Sequence, residues 1–193
     1  MAFELRRRLV HASGAVVPLA YLLDARFGVG VVSWRVVQLI AILGVVAVIV
    51  LEAARLYGGL EHAIYDQLTR AYEQDSVAGY ALYVFGGATV VWLFEPQIAV
   101  PALFMLTIGD PVSGLLSNTG VESVKRPRVL AGMFVTCFLL AVSFVGPVAA
   151  AAGALAATVG DGVKPTIGDF VVDDNLSIPI LGAVAMWVVL LIA

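Results

Sequence analysis

Apolar stretches at about 9–23, 36–51, 77–94, 98–108, 129–145, 148–159 and 176–192 take up most of a chain of 193 residues, and they constrain its fold more than any motif does. Runs so numerous exceed what the core of one soluble domain of this length needs. With 61% hydrophobic residues, 13% charged residues and a mean hydropathy of +1.00, the chain has roughly half the charged share of a soluble domain. In lipid every backbone N–H and C=O must be satisfied inside the protein, which leaves helices or closed barrels. The alternating pattern of a barrel strand is missing, so helix is expected throughout. The expectation is an all-α polytopic membrane helix bundle of about seven (six to seven) transmembrane segments, forming a single domain over residues 1–193. Several segments fall short of the roughly 20 residues of a full crossing, which implies tilt or re-entrant halves. Met1 to Ala20 has the charge pattern of a signal peptide, and is read as a retained first membrane helix.

Loop charges set the orientation, since cytoplasmic loops carry the excess of Lys and Arg. With the N-terminus cytoplasmic, Arg6, Arg7, Arg8, Arg55, Arg70, Lys125, Arg126, Arg128 and Lys164 lie inside, and only Arg26 and Arg35 outside. Residues 52–74 carry Leu56, Leu60, Ile64, Leu68 and Tyr72 at helical spacing, with Glu61, His62, Asp66, Thr69 and Arg70 between them. That pattern predicts an amphipathic helix on the cytoplasmic interface. Glu95-Pro96 and Gly146-Pro147 predict tight turns, and the small residues from Ala149 to Thr158 predict close helix packing. A net charge of −3 without a long basic block gives no footprint for nucleic acid. The one cysteine, Cys137, lies in an apolar run and offers neither a disulfide nor a thiolate metal site.

Chemistry concentrates between residues 109 and 132, GDPVSGLLSNTGVESVKRPRVLAG. Asp110 follows a membrane segment, where it can hold a hard cation such as Mg²⁺ or cap the helix that opens at Pro111. Lys125, Arg126 and Arg128 can neutralise phosphate oxygens, though the positive-inside rule alone would also put them there. Asp173, Asp174 and Asn175 open the last segment. They offer a second divalent-ion or hydroxyl site, with helix capping as the alternative. His11 stands just inside the first segment, as a functional candidate or as a side chain reaching for the interface. Walker A and dinucleotide fingerprints are missing from the sequence, as are a nucleophile elbow and a Ser-His-Asp order.

In order and spacing these motifs resemble the CTP-dependent polyprenol kinases, which include dolichol kinase, phytol kinase and the CTP-type diacylglycerol kinase. Phosphatidate cytidylyltransferases are distant relatives of that family. The resemblance runs nearly end to end. It rests on Glu4-Leu5-Arg6-Arg7-Arg8-Leu9-Val10-His11, Glu52 with Arg55, Glu73, Gly109-Asp110-Pro111 and the closing Asp173-Asp174-Asn175-Leu176-Ser177-Ile178-Pro179. It implies transfer of the γ-phosphoryl group of CTP to a long isoprenoid alcohol, with Mg²⁺ as cofactor. Asp110, Asp173 and Asp174 would serve as metal ligands or base, and Asn175 would orient. Lys125, Arg126, Arg128, Gly109, Gly132, Glu73, Arg8 and His11 would line the nucleotide site. The family's Lys-Ser/Thr-Leu-Glu-Gly run is here Arg128-Val129-Leu130-Ala131-Gly132, so its acid is lost at Ala131, and a carboxylate from the same loop would have to come from Glu122. The alternatives are a cytidylyltransferase making a CDP-activated lipid, and a non-catalytic transporter or scaffold.

Overall fold

The computed structural model of the chain describes residues 2–58, 76–117, 125–163, 166–167, 170–171 and 173–193. The helices among them are α1 (Ala2–Ser13), α2 (Val16–Phe27), α3 (Trp34–Gly58), α4 (Gly79–Leu93), α5 (Pro96–Phe104), α6 (Asp110–Leu116), α7 (Pro127–Gly162) and α8 (Asp174–Ile192). A π-helical turn, Met105–Gly109, joins α5 to α6. A two-residue antiparallel ribbon, β1 (Thr166–Ile167) with β2 (Phe170–Val171), lies between α7 and α8. Among the described residues, four helical stretches are long and apolar enough to cross a membrane: α3, the continuous α5–α6 unit, α7 and α8. The expected membrane protein built of helices is therefore what the chain forms.

Polarity is distributed as lipid demands. Leu39, Leu43, Val46 and Val50 of α3 are exposed, while Glu52, Thr107, Ser113, Asp161, Asp173, Asp174 and Asn175 are buried. Between the helices, small residues give close approach. An added Cβ at Gly153 would come within 2.5 Å of Met186 Cγ, so α7 and α8 pack almost backbone to backbone. The centre is α5, whose residues from Ile98 to Phe104 are all buried.

Both predicted Pro turns stand where they were placed. Glu95 is extended and Pro96 opens α5. Gly146 adopts φ 75°, ψ 171°, a conformation open to glycine, and Pro147 then starts a new helical run. A straight 36-residue helix would be about 54 Å long, so its ends could never meet. Here the Lys125 N–H donates to the Gly162 carbonyl at 3.4 Å, so residues 127–145 and 147–162 form an antiparallel hairpin.

Two segments differ from expectation. The first apolar stretch is broken after Ser13, because Pro18 has no N–H for the Gly14 carbonyl, which takes the Val17 N–H at 3.3 Å instead. In the tightened turn Ala15 bonds to Ala12, and the His11 carbonyl accepts the Tyr83 hydroxyl at 2.9 Å. The beginning of the expected amphipathic helix, Glu52 to Gly58, instead completes α3. Glu52 is held inside the bundle: Arg55 donates to it from Nε at 3.0 Å and from Nη2 at 2.7 Å, the Ala78 N–H donates at 3.1 Å, and the Tyr80 hydroxyl also donates. The rest of that helix, with Glu73, lies outside the described residues.

Candidate functional site

Three carboxylates from three distant parts of the chain converge at one end of the bundle. Asp110 is the first residue of α6, Asp161 the penultimate residue of α7 and Asp174 the first residue of α8. One oxygen of each lies within 4.8 Å of the others. The hairpin at Gly146 makes this possible, because it brings the end of α7 back beside the segment that precedes it. The site is recessed. An added Cβ at Gly86 would lie 2.5 Å from the Asn175 carbonyl, so α8 begins beside a residue eight positions beyond Ala78, or about 12 Å along α4.

Asp110 owes its setting to the π turn. Its N–H bonds to the Met105 carbonyl, five residues back rather than four. Continuing that pattern, the Leu106 carbonyl would take the N–H of residue 111, but residue 111 is proline. The orphaned carbonyl is taken by His11, whose Nε2–H donates to it at 2.9 Å. The same nitrogen lies 3.5 Å from Asp110 Oδ2, so one proline brings His11 to the acid. Tyr83 packs edge-on against the imidazole with ring centroids 4.4 Å apart.

Asp161 is wholly buried and doubly held. Ser113 donates its hydroxyl to Oδ2 at 2.6 Å, and Lys125 Nζ donates to Oδ1 at 2.6 Å and to Ser113 Oγ at 3.1 Å. Asp173 does different work. Its side chain accepts the Asn175 N–H at 3.0 Å and the Asn175 amide at 2.7 Å, so it caps α8 while its neighbour Asp174 joins the cluster. Asn175 is buried, and among the described residues its Oδ1 has no hydrogen-bond partner.

The other expected site residues are distributed around this cluster. The Arg8 guanidinium lies over Gly114, where an added Cβ would be 3.2 Å from Nε. Arg126 occupies the N-cap position of α7, with Arg128 exposed in its first turn. Gly109 and Gly132 act in packing: an added Cβ would meet Cys137 Sγ at 3.0 Å in the first case and Leu116 Cδ1 at 2.3 Å in the second. Ala131 is exposed and lines an apolar groove with Leu130, Phe134 and Leu155, so an acid at this position would face that groove. Glu122 and Glu73 lie outside the described residues.

The donor set fits a hard divalent cation. It consists of carboxylate oxygens without thiolate, which suits Mg²⁺ over softer ions. Around an ion with metal–oxygen distances of about 2.1 Å, ligand oxygens are about 3.0 Å apart when adjacent and about 4.2 Å apart when opposite, so oxygens within 4.8 Å of one another would draw together on binding. Sequence reasoning missed Asp161 and Ser113. A signal for Asp161 existed in Gly160-Asp161-Gly162, a lone acid among glycines at the end of an apolar run, much as Asp110 follows Gly109. Comparison with protein-family models, curated proteins and solved structures finds no match to the chain.

Proposed function

We propose that the chain is a CTP-dependent lipid kinase that phosphorylates a long isoprenoid alcohol, a dolichol or polyprenol, and releases CDP. The observation that carries this reading is the recessed cluster of Asp110, Asp161 and Asp174 with Lys125 against it. The donor and the acceptor come from the resemblance to the polyprenol kinases. In phosphoryl transfer the protein contributes chiefly position and charge. Mg²⁺, when bound by the three aspartates, supplies neutralisation of the phosphate oxygens. Arg126 and Arg128 bind the nucleotide phosphates from the exposed rim, and His11 orients Asp110. Asp110, whose side chain is 23% exposed, is the carboxylate open to the substrate hydroxyl. That hydroxyl loses its proton to Asp110, its oxygen bonds to the γ-phosphorus, and the bond from that phosphorus to the bridging oxygen of CDP breaks.

A lipid acceptor accords with an apolar groove of about 350 Å³ between the end of α7 and the start of α8, lined by Val159, Val163, Leu176, Ile180 and Leu181. Gly160 and Ser177 line it too, one residue before Asp161 and three after Asp174. A chain lying there carries its hydroxyl to the acids. The crossings in this reading number seven, with the two halves of α7 counted separately and α1–α2 as the first. The N-terminus and the aspartate cluster then face the cytoplasm.

The test is incubation of the purified chain in lipid with γ-labelled CTP, Mg²⁺ and dolichol. Label should enter the organic phase with release of CDP. Pyrophosphate release onto a lipid phosphate would mean cytidylyl transfer instead, and absence of CTP binding would favour a transporter or scaffold.

A further inference from the structure

Lys125 reaches the aspartate cluster from outside the helices, two residues ahead of α7. Its ammonium is lodged 2.6 Å from Asp161 Oδ1 and 3.1 Å from Ser113 Oγ. A buried carboxylate at membrane depth needs a cation close by, and a lysine supplies one as a compact charge on a flexible stem. Asp161 is also one of the three acids that could hold a divalent ion. An ion taken up there would compete for the same oxygens and repel the ammonium at close range. Arg126 follows directly in sequence and Arg128 two residues later, and both are exposed.

We infer that Lys125 is a built-in counter-ion, which holds the cation's place at Asp161 until a divalent ion displaces it and frees its ammonium for the phosphates of the incoming nucleotide. The inference rests on the proposed metal role of the cluster. It makes Lys125 an opponent of metal binding and an ally of nucleotide binding. A purely structural ion pair has no such opposite signs, because its loss would loosen the cluster and weaken both ligands together.

The experiment uses the full chain in lipid nanodiscs, with three readouts that do not involve turnover, one of them CTP binding by equilibrium dialysis. Mn²⁺ binding is measured from the free-ion EPR signal for the parent chain and for Lys125→Met. The reaction of Lys125 with an amine-acylating reagent is followed by peptide mass mapping, with and without Mg²⁺. Lys125→Met should bind Mn²⁺ about tenfold more tightly and CTP about tenfold more weakly. In the parent chain Lys125 should resist acylation until Mg²⁺ is added and then react several times faster. Mn²⁺ binding no tighter in folded Lys125→Met, or Mg²⁺ binding that leaves acylation of Lys125 unchanged or slower, overturns the inference and spares the metal site. If the variant does not fold, acylation of the parent chain decides alone. Mn²⁺ binding to neither protein overturns the metal reading and this inference with it.

Discussion

Two acidic clusters lie toward the same end of the bundle, and they are built on opposite principles. Around Glu52 a single carboxylate is saturated, with Arg55, the Ala78 N–H and the Tyr80 hydroxyl all donating to it. It ties the end of α3 to the start of α4 and leaves little capacity for a ligand. Around Asp161 three carboxylates from three helices crowd within 4.8 Å, with the Lys125 ammonium 2.6 Å from Asp161 and the His11 ring 3.5 Å from Asp110. The saturated cluster is a staple. The crowded one gathers negative charge, and polar groups clustered inside a bundle of apolar helices point to function.

The largest effect that separates the two belongs to Asp110. Asp110→Ala should abolish transfer from labelled CTP while the protein remains folded in the membrane, a loss of about a hundredfold or more. Normal turnover by this variant would end the distinction. Glu52→Ala should behave in the converse way. It leaves the Arg55 guanidinium without its buried partner and should cost about 3 kcal/mol of stability. Thermal unfolding in detergent would show that loss, while turnover per folded molecule stays unchanged. If the folded fraction of Glu52→Ala proved inactive, the staple would have to be counted as part of the site.

Smaller effects sharpen the contrast. Gly146→Ala forces a side chain into positive φ at the hairpin that returns Asp161 to the site, and should cost about 1–2 kcal/mol in the same unfolding measurement. Asp173→Ala removes a cap and should cost about 1 kcal/mol with little change in metal binding. Asp174→Asn should show the reverse, and equal effects at these neighbours would erase the division between cap and cluster.

The smallest effect belongs to Asp24. The N–H of Val32, with those of Val31 and Gly30, holds this half-buried carboxylate below its usual pKa, against a weaker opposing effect of desolvation. A folded pKa below the unfolded value contributes stability above the ordinary carboxylate range, and that contribution fades as pH falls through the folded value. The melting temperature of Asp24→Asn should therefore lie slightly below that of the parent chain at pH 7, and the gap should close in acid.

Much of this architecture is legible in the residues alone, because its causes are local. Apolar runs must be helices in lipid, and Glu95-Pro96 and Gly146-Pro147 interrupt them wherever they occur. Asp110 and the Asp173-Asp174-Asn175 group are conspicuous as acids at the ends of apolar runs. What local signals do not carry is which acid meets which partner. Asp173 and Asp174 are alike in sequence, yet one caps α8 and the other faces Asp110 and Asp161. Asp161 draws Ser113 from 48 residues away and Lys125 from 36, and His11 reaches a carbonyl 95 residues on. Hydropathy and turn chemistry act over a few neighbouring residues, so the sequence by itself determined the helices and their breaks. A carboxylate's role depends on the charges that other helices bring to it, and only the tertiary structure decided that.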